Sequence, residues 1–198
     1  MYANKNEKTI RKIISLLLLA VSLSTFAEDH MKFMGIPING QLSTFCQALE
    51  KKNFKVVKMY NNAAIYEGLF TGRLAYIWVE TTPKTRIVSG VSVLYKDNNK
   101  WNTMESNYED VKEQLSIKYG AAVDSTEIGD VTSDYFIKSS IEEGDVERYA
   151  LFETELGIIV VGVGVFSPFD VSEKAFTYVA YVDKANRAKA KQEEFDDL

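Results

Sequence analysis

Cysteine, histidine and proline are nearly absent from this 198-residue chain, which holds one, one and three of them. A lone cysteine makes no internal disulfide, so stability must come from packing. Cys46 falls on one helical stripe with Leu42, Phe45 and Leu49, which predicts a buried, inert thiol rather than a nucleophile served by His30. His30 itself lies in the amino-terminal part of the chain, where mobility is expected. One cysteine and one histidine do not assemble a zinc site of the usual kind, and no cofactor or metal is expected. The sequence has no Gly-x-Ser-x-Gly elbow, no His-Glu-x-x-His helix and no calcium-loop spacing. Gly162-Val163-Gly164 lies in a β-branched run without a following Lys-Ser/Thr, and reads as strand rather than phosphate loop. Glu142-Glu143-Gly144-Asp145 supplies about half the oxygens calcium needs, and reads as a solvated hairpin tip.

What is present begins with an export signal. Lys5, Lys8, Arg11 and Lys12 precede an apolar run from Ile13 to Leu23, followed by Thr25-Phe26-Ala27 with small residues at the cleavage positions. The run is short of the roughly 20 residues that span a bilayer. Residues 1–27 are therefore expected to be removed after Ala27. Glu28, not cysteine, follows the cut, so a lipid anchor is not expected and the mature chain should be periplasmic or secreted. Taking away four basic residues and one acidic residue leaves 19 Lys+Arg against 27 Asp+Glu, a net charge of −8. Such a surface lacks the positive field that nucleic acid and anionic lipid require.

The remainder predicts an α+β fold in two similar halves, residues 28–96 and 97–183, followed by a polar tail, 184–198. An amphipathic helix over 39–53, opened by Asn39-Gly40, precedes strands at Phe54–Tyr60, Ala63–Phe70, Gly72–Thr81 and Arg86–Lys96. Tight turns between them make antiparallel hairpins. In the second half Ser106 and Glu109 suggest a capping box, and Tyr108, Val111, Leu115 and Tyr119 a helical stripe closed by Gly120. Strands are expected at Ala122–Glu127, Asp134–Ser140, Val146–Thr154, Gly157–Phe166 and Phe176–Val182. Tyr76–Thr81 and Tyr149–Thr154 share Tyr, Glu and Thr positions, which suggests internal duplication with Tyr76 matching Tyr149 and Glu80 matching Glu153.

This order of elements resembles the tandem α+β modules of β-lactamase-inhibitor-like and PepSY-like exported proteins. Gly35-Ile36-Pro37-Ile38-Asn39-Gly40 and the ending Tyr181-Val182-Asp183-Lys184-Ala185-Asn186, with Asp196-Asp197-Leu198, are similar to uncharacterised exported proteins of Bacteroidetes. The resemblance implies a broad sheet surface that grips a protein partner, and carries no catalytic residues.

Two candidate sites follow from the residues. Alternation on Gly72–Thr81 sets Leu74, Tyr76, Trp78 and Glu80 on one face, opposite Ala75, Ile77 and Val79. If the aliphatic face packs under a helix, Tyr76, Trp78 and Glu80 form a binding surface; the competing arrangement puts Trp78 in the core. Glu80 and Glu153 are the only carboxylate pair suggested for hydrolysis. Trp101 is expected to pack at the start of the second helix. The leading expectation is a non-catalytic binding or protein-interaction module, inhibitor-like or envelope-associated. A carboxylate-dependent hydrolase and a structural envelope component are the alternatives.

Overall fold

The computed structural model describes residues 29–97, 99–167 and 174–195. The expected signal at 1–27, its cleavage at Ala27 and the terminal 196–198 lie outside the described residues. The chain opens with a two-stranded hairpin, β1 (Lys32–Phe33) and β2 (Ile36–Pro37). Helix α1 (Leu42–Glu50) follows, then β3 (Lys55–Met59), β4 (Ala63–Phe70), β5 (Arg73–Thr81) and β6 (Val88–Tyr95). Next come α2 (Trp101–Tyr119), β7 (Asp124–Ile128), a 3-10 turn (Asp134–Phe136) and the short α3 (Ile137–Glu142). The chain closes with β8 (Glu147–Thr154), β9 (Gly157–Phe166), β10 (Lys174–Asp183) and α4 (Lys184–Phe195).

Eight strands form one antiparallel sheet in the order β3-β4-β5-β6-β10-β9-β8-β7. Each meander, β3–β6 and β7–β10, is preceded by a helix, and the two meet where β6 pairs with β10. The outer strands are poor templates for further pairing. β3 is bulged between Val56 and Lys58, and β7 is short and carries Asp124 and Glu127.

One face of the sheet holds the core. Ala75, Ile77 and Val79 of β5, Val91 and Val93 of β6, Val179 of β10 and Ile159 and Val161 of β9 are all shut off from solvent. Against them pack Phe45, Cys46 and Leu49 of α1 and Met104, Tyr108, Val111 and Leu115 of α2. These apolar residues recur at helical spacing, which is why both segments coil and which face each one buries. The alternation read from β5 is thus the one the fold uses, and Trp78 is not in this core.

Four local expectations are corrected. Helix α2 begins at Trp101, so Ser106 and Glu109 lie inside it; Asp134 Oδ1 receives the Trp101 N–H at 2.9 Å in place of a local cap. Likewise α1 starts at Leu42 after Gln41, with no side-chain cap from Asn39. Residues 134–142 are a 3-10 turn and helix rather than a strand, because Ser133 caps the turn and Ile137 and Ile141 are spaced to turn inward together. Glu142–Asp145 is accordingly the end of α3 and not a hairpin tip, with Gly144 at φ +78° making the reversal.

His30, expected to be mobile, is held in place: its side chain is 9 % exposed and its Nδ1 lies 3.1 Å from Asp183 Oδ1. Asp183 also accepts from Met31 N at 2.8 Å and Asn186 N at 2.9 Å. Asn186 in turn donates to the carbonyls of Ile38 and Val88. The polar tail is therefore a docked helix, tied through its first turn to the amino-terminal segment.

Candidate functional site

The register places the second face of the sheet in continuous cross-strand rows. One runs Lys58–Ile65–Trp78–Ser92–Ala180–Val160–Leu151–Asp124 across all eight strands. The next runs Lys55–Glu67–Tyr76–Leu94–Tyr178–Gly162–Tyr149–Thr126. Cross-strand partners share a face, so Tyr76, Trp78 and Glu80 stand together on the side away from α1 and α2. None of the buried apolar residues here, Ala63, Ile65, Leu94 and Phe176, belongs to the helix-covered core.

The aromatic side chains lie against one another rather than standing into solvent. Tyr76 meets Phe176 edge-on at 6.5 Å, and Phe166 meets Tyr178 at 5.2 Å. The Tyr178 ring covers Gly162 and Gly164, so that a Cβ at Gly162 would come within 2.9 Å of its hydroxyl. This leaning of a ring over glycine fills the space its missing side chain leaves and shields the backbone. Lys96 Nζ sits 4.8 Å above the Tyr76 ring and 2.7 Å from Glu67 Oε2. Burial raises the Tyr178 hydroxyl above its ordinary value, with the Glu147 carboxylate adding to the effect.

At the Glu80 end, α4 crosses the strands and closes a cleft of ≈ 360 Å³ lined by Tyr60, Trp78, Glu80, Arg187, Ala190 and Glu194 among others. Helix α4 is held there by Glu193, which accepts from Lys84 N at 2.7 Å and Thr85 N at 3.2 Å as well as from the Thr85 hydroxyl. Glu80 keeps an exposed edge, yet desolvation in the cleft raises its carboxyl, opposed by the Arg187 guanidinium. Trp78 is half-buried, and its Nε1 is shut off from solvent with no hydrogen-bond partner among the described residues.

The structure brings Trp78 and Glu80 into the cleft and leaves Tyr76 in the neighbouring aromatic row. It does not bring the two candidate carboxylates together. Glu80 and Glu153 close one row, Glu80–Gly90–Val182–Ile158–Glu153, four strand spacings apart. At about 4.8 Å per spacing that is roughly 19 Å. A glycosidase-type pair needs about 5 to 9.5 Å, so this pair does not perform that chemistry. Nor does the shared Tyr/Glu/Thr signature join corresponding strands: β5 is the third strand of its meander and β8 the second of its own.

Arg187, Tyr178, Phe166 and Phe176 were not singled out by sequence. The tail gave no apolar stripe to announce that α4 docks, whereas the apolar residues on both alternations of β9 and β10 were legible as a signal. Trp101 packs at the start of α2 as expected, 2 % exposed, with its Nε1–H donating to Asp130 Oδ1 at 2.6 Å. Among the described residues no group of three or more His, Cys, Asp or Glu side chains is arranged to hold a metal, and no helix is long and apolar enough to cross a membrane. Comparison of the chain with family models, curated proteins and solved structures returns no match.

Proposed function

We propose that this chain is an exported, non-catalytic interaction module that engages a protein partner through the open face of its sheet, with Tyr76, Trp78 and Glu80 at the contact. One observation carries this reading. The central strands β10 and β9 carry apolar side chains on the open alternation as well as the covered one, and β6 adds Leu94 to it, although α1 and α2 cover only one face. An antiparallel sheet that meets only water on one side normally alternates apolar-in with polar-out. A face of half-buried Tyr, Trp, Phe, Leu and Val is instead the composition of an interface centre, where aromatic anchors dominate the energetics. Export is supported by the basic, apolar and small-residue segments of residues 5–27. The recurring helix-plus-meander order supports descent of the two halves from one module.

The test is a photoactivatable cross-linking residue placed in producing cells at Tyr76 or Leu151 on the open face, and at Ile117, 80 % exposed on α2. Adducts should form from the two sheet positions and not from Ile117. Equal yields from all three, or none, defeat the proposal. Export is tested separately by terminal sequencing, which should read Glu28 first.

A further inference from the structure

The open face has a charge pattern of its own. At one side, β3 contributes Lys55 and Lys58; at the other, β7 and β8 contribute Asp124, Glu147 and Glu153. Between these edges the charged side chains are the Glu67–Lys96 pair, which neutralises itself, Lys174 at the far end of β10, and Glu80 beside Arg187 of α4; Ser92 is polar and the rest of the centre is mainly apolar. An apolar centre flanked by opposite charges is complementary to itself when turned over. A two-fold axis parallel to the strands and passing between β6 and β10 does this. It sets β3 of one copy over β7 of the other, and β5 over β9. Lys58 and Asp124 terminate the same row, so the operation brings the basic end of that row onto the acidic end in both directions.

We propose that the partner of the open face is a second copy of this chain, packed sheet on sheet with Lys55 and Lys58 of each copy facing Asp124 and Glu147 of the other. This rests on the reading of that face as an interaction surface. Sheets pack face to face at about 10 Å with strands within about 30° of alignment, and a surface filled in by the Tyr178 ring over Gly162 and Gly164 suits such packing. Helix α4 occupies the Glu80 end, which leaves the Trp78 and Tyr76 rows across eight strands and a shorter row through Leu69, Leu74 and Phe176. Strand spacing and rise make that about 700 Å² per copy. A stable interface buries about 800 Å² per partner, so the area is near what a specific dimer needs. In the paired state Trp78 comes over Val160 of the other copy, apolar against apolar along the row, while Ile65 is already fully buried within its own chain.

The experiment is sedimentation of the purified protein beside two charge-reversed variants, Lys55→Glu with Lys58→Glu, and Asp124→Lys with Glu147→Lys. The unaltered protein should sediment as a dimer. Each variant alone sets like charges against each other and should dissociate at least about tenfold more readily. Mixed in equal amounts, the two variants should pair again, because each then presents the charge the other lacks. A monomer at all concentrations overturns the proposal, as does a dimer indifferent to both variants or a mixture that fails to re-pair. A monomer that still cross-links to a different protein through Tyr76 overturns the self-pairing and leaves the open face as an interaction surface. A monomer with no adduct removes both.

Discussion

Trp78 holds a buried indole N–H that nothing among the described residues receives. An unmet buried donor costs about 1–3 kcal/mol, comparable with the area a partly exposed indole buries beyond a phenyl ring. Trp78→Phe is therefore expected to leave stability within about 1 kcal/mol of the parent in denaturant titration; a loss of 3 kcal/mol or more, of the order seen for truncated core aromatics, would mean that Trp78 is a core residue after all. Trp101 is the contrasting case, because its N–H is paired with Asp130 and the Arg148 guanidinium lies 5.4 Å over its ring. Cys46 belongs to this scale too. Burial pushes its thiol up, with the neighbouring Tyr66 hydroxyl pulling the other way, so little thiolate exists at neutral pH. A thiol reagent should label it only at the rate of unfolding, and rapid modification of the native protein would refute that.

Helix α4 shows how one side chain anchors an element. Burial would raise the Glu193 carboxyl, but the Thr85 hydroxyl and the Lys84 and Thr85 N–H groups overcome this and hold it down to about 2, against an ordinary 4.5. A carboxyl whose value falls on folding contributes stability that is complete above its unfolded value and is lost as pH drops toward the folded one. The docking of α4 should therefore weaken between about pH 4.5 and pH 2, seen as a fall in the protection factors of α4 amides, that is, in exchange measured against the intrinsic rate at each pH. Glu193→Gln should speed exchange at neutral pH and flatten this dependence. Elsewhere at this scale, β4 and β9 have the boundaries that period-two alternation and turn residues predict, Ala63–Phe70 and Gly157–Phe166. Residues 134–142 do not, since four residues such as Tyr135-Phe136-Ile137-Lys138 satisfy a short strand and a short helix alike. The deciding term, Asp134 capping α2 from a distance of 33 residues, has no trace in local pattern.

At the scale of the whole molecule, one eight-stranded sheet is shared by two meanders, and the ties between them cross its middle. Asp97, at the end of the first meander, accepts the Thr177 N–H at 2.8 Å and a bond from Asn107, while Asp183 and Asn186 clamp the amino-terminal segment. The halves at 28–96 and 97–183 should therefore unfold together. One tryptophan lies in each, so fluorescence of Trp78 in Trp101→Phe and of Trp101 in Trp78→Phe should each coincide with loss of circular dichroism in the same variant; separated midpoints would mean independent halves. The sequence alone determined the α+β class, most strand boundaries, the buried Cys46 and that Tyr76, Trp78 and Glu80 share one face of β5, while the packing of α1 and α2 decided that this face is the open one. The features read from sequence follow from alternation, helical spacing and turn chemistry, which act over a few residues. Only the tertiary structure decided that β6 meets β10, that Glu80 and Glu153 stay four strands apart, that His30 is held by Asp183 and that α4 builds a cleft beside Trp78. Those outcomes depend on contacts between residues as many as 153 apart, and on polar groups whose partners local periodicity does not encode.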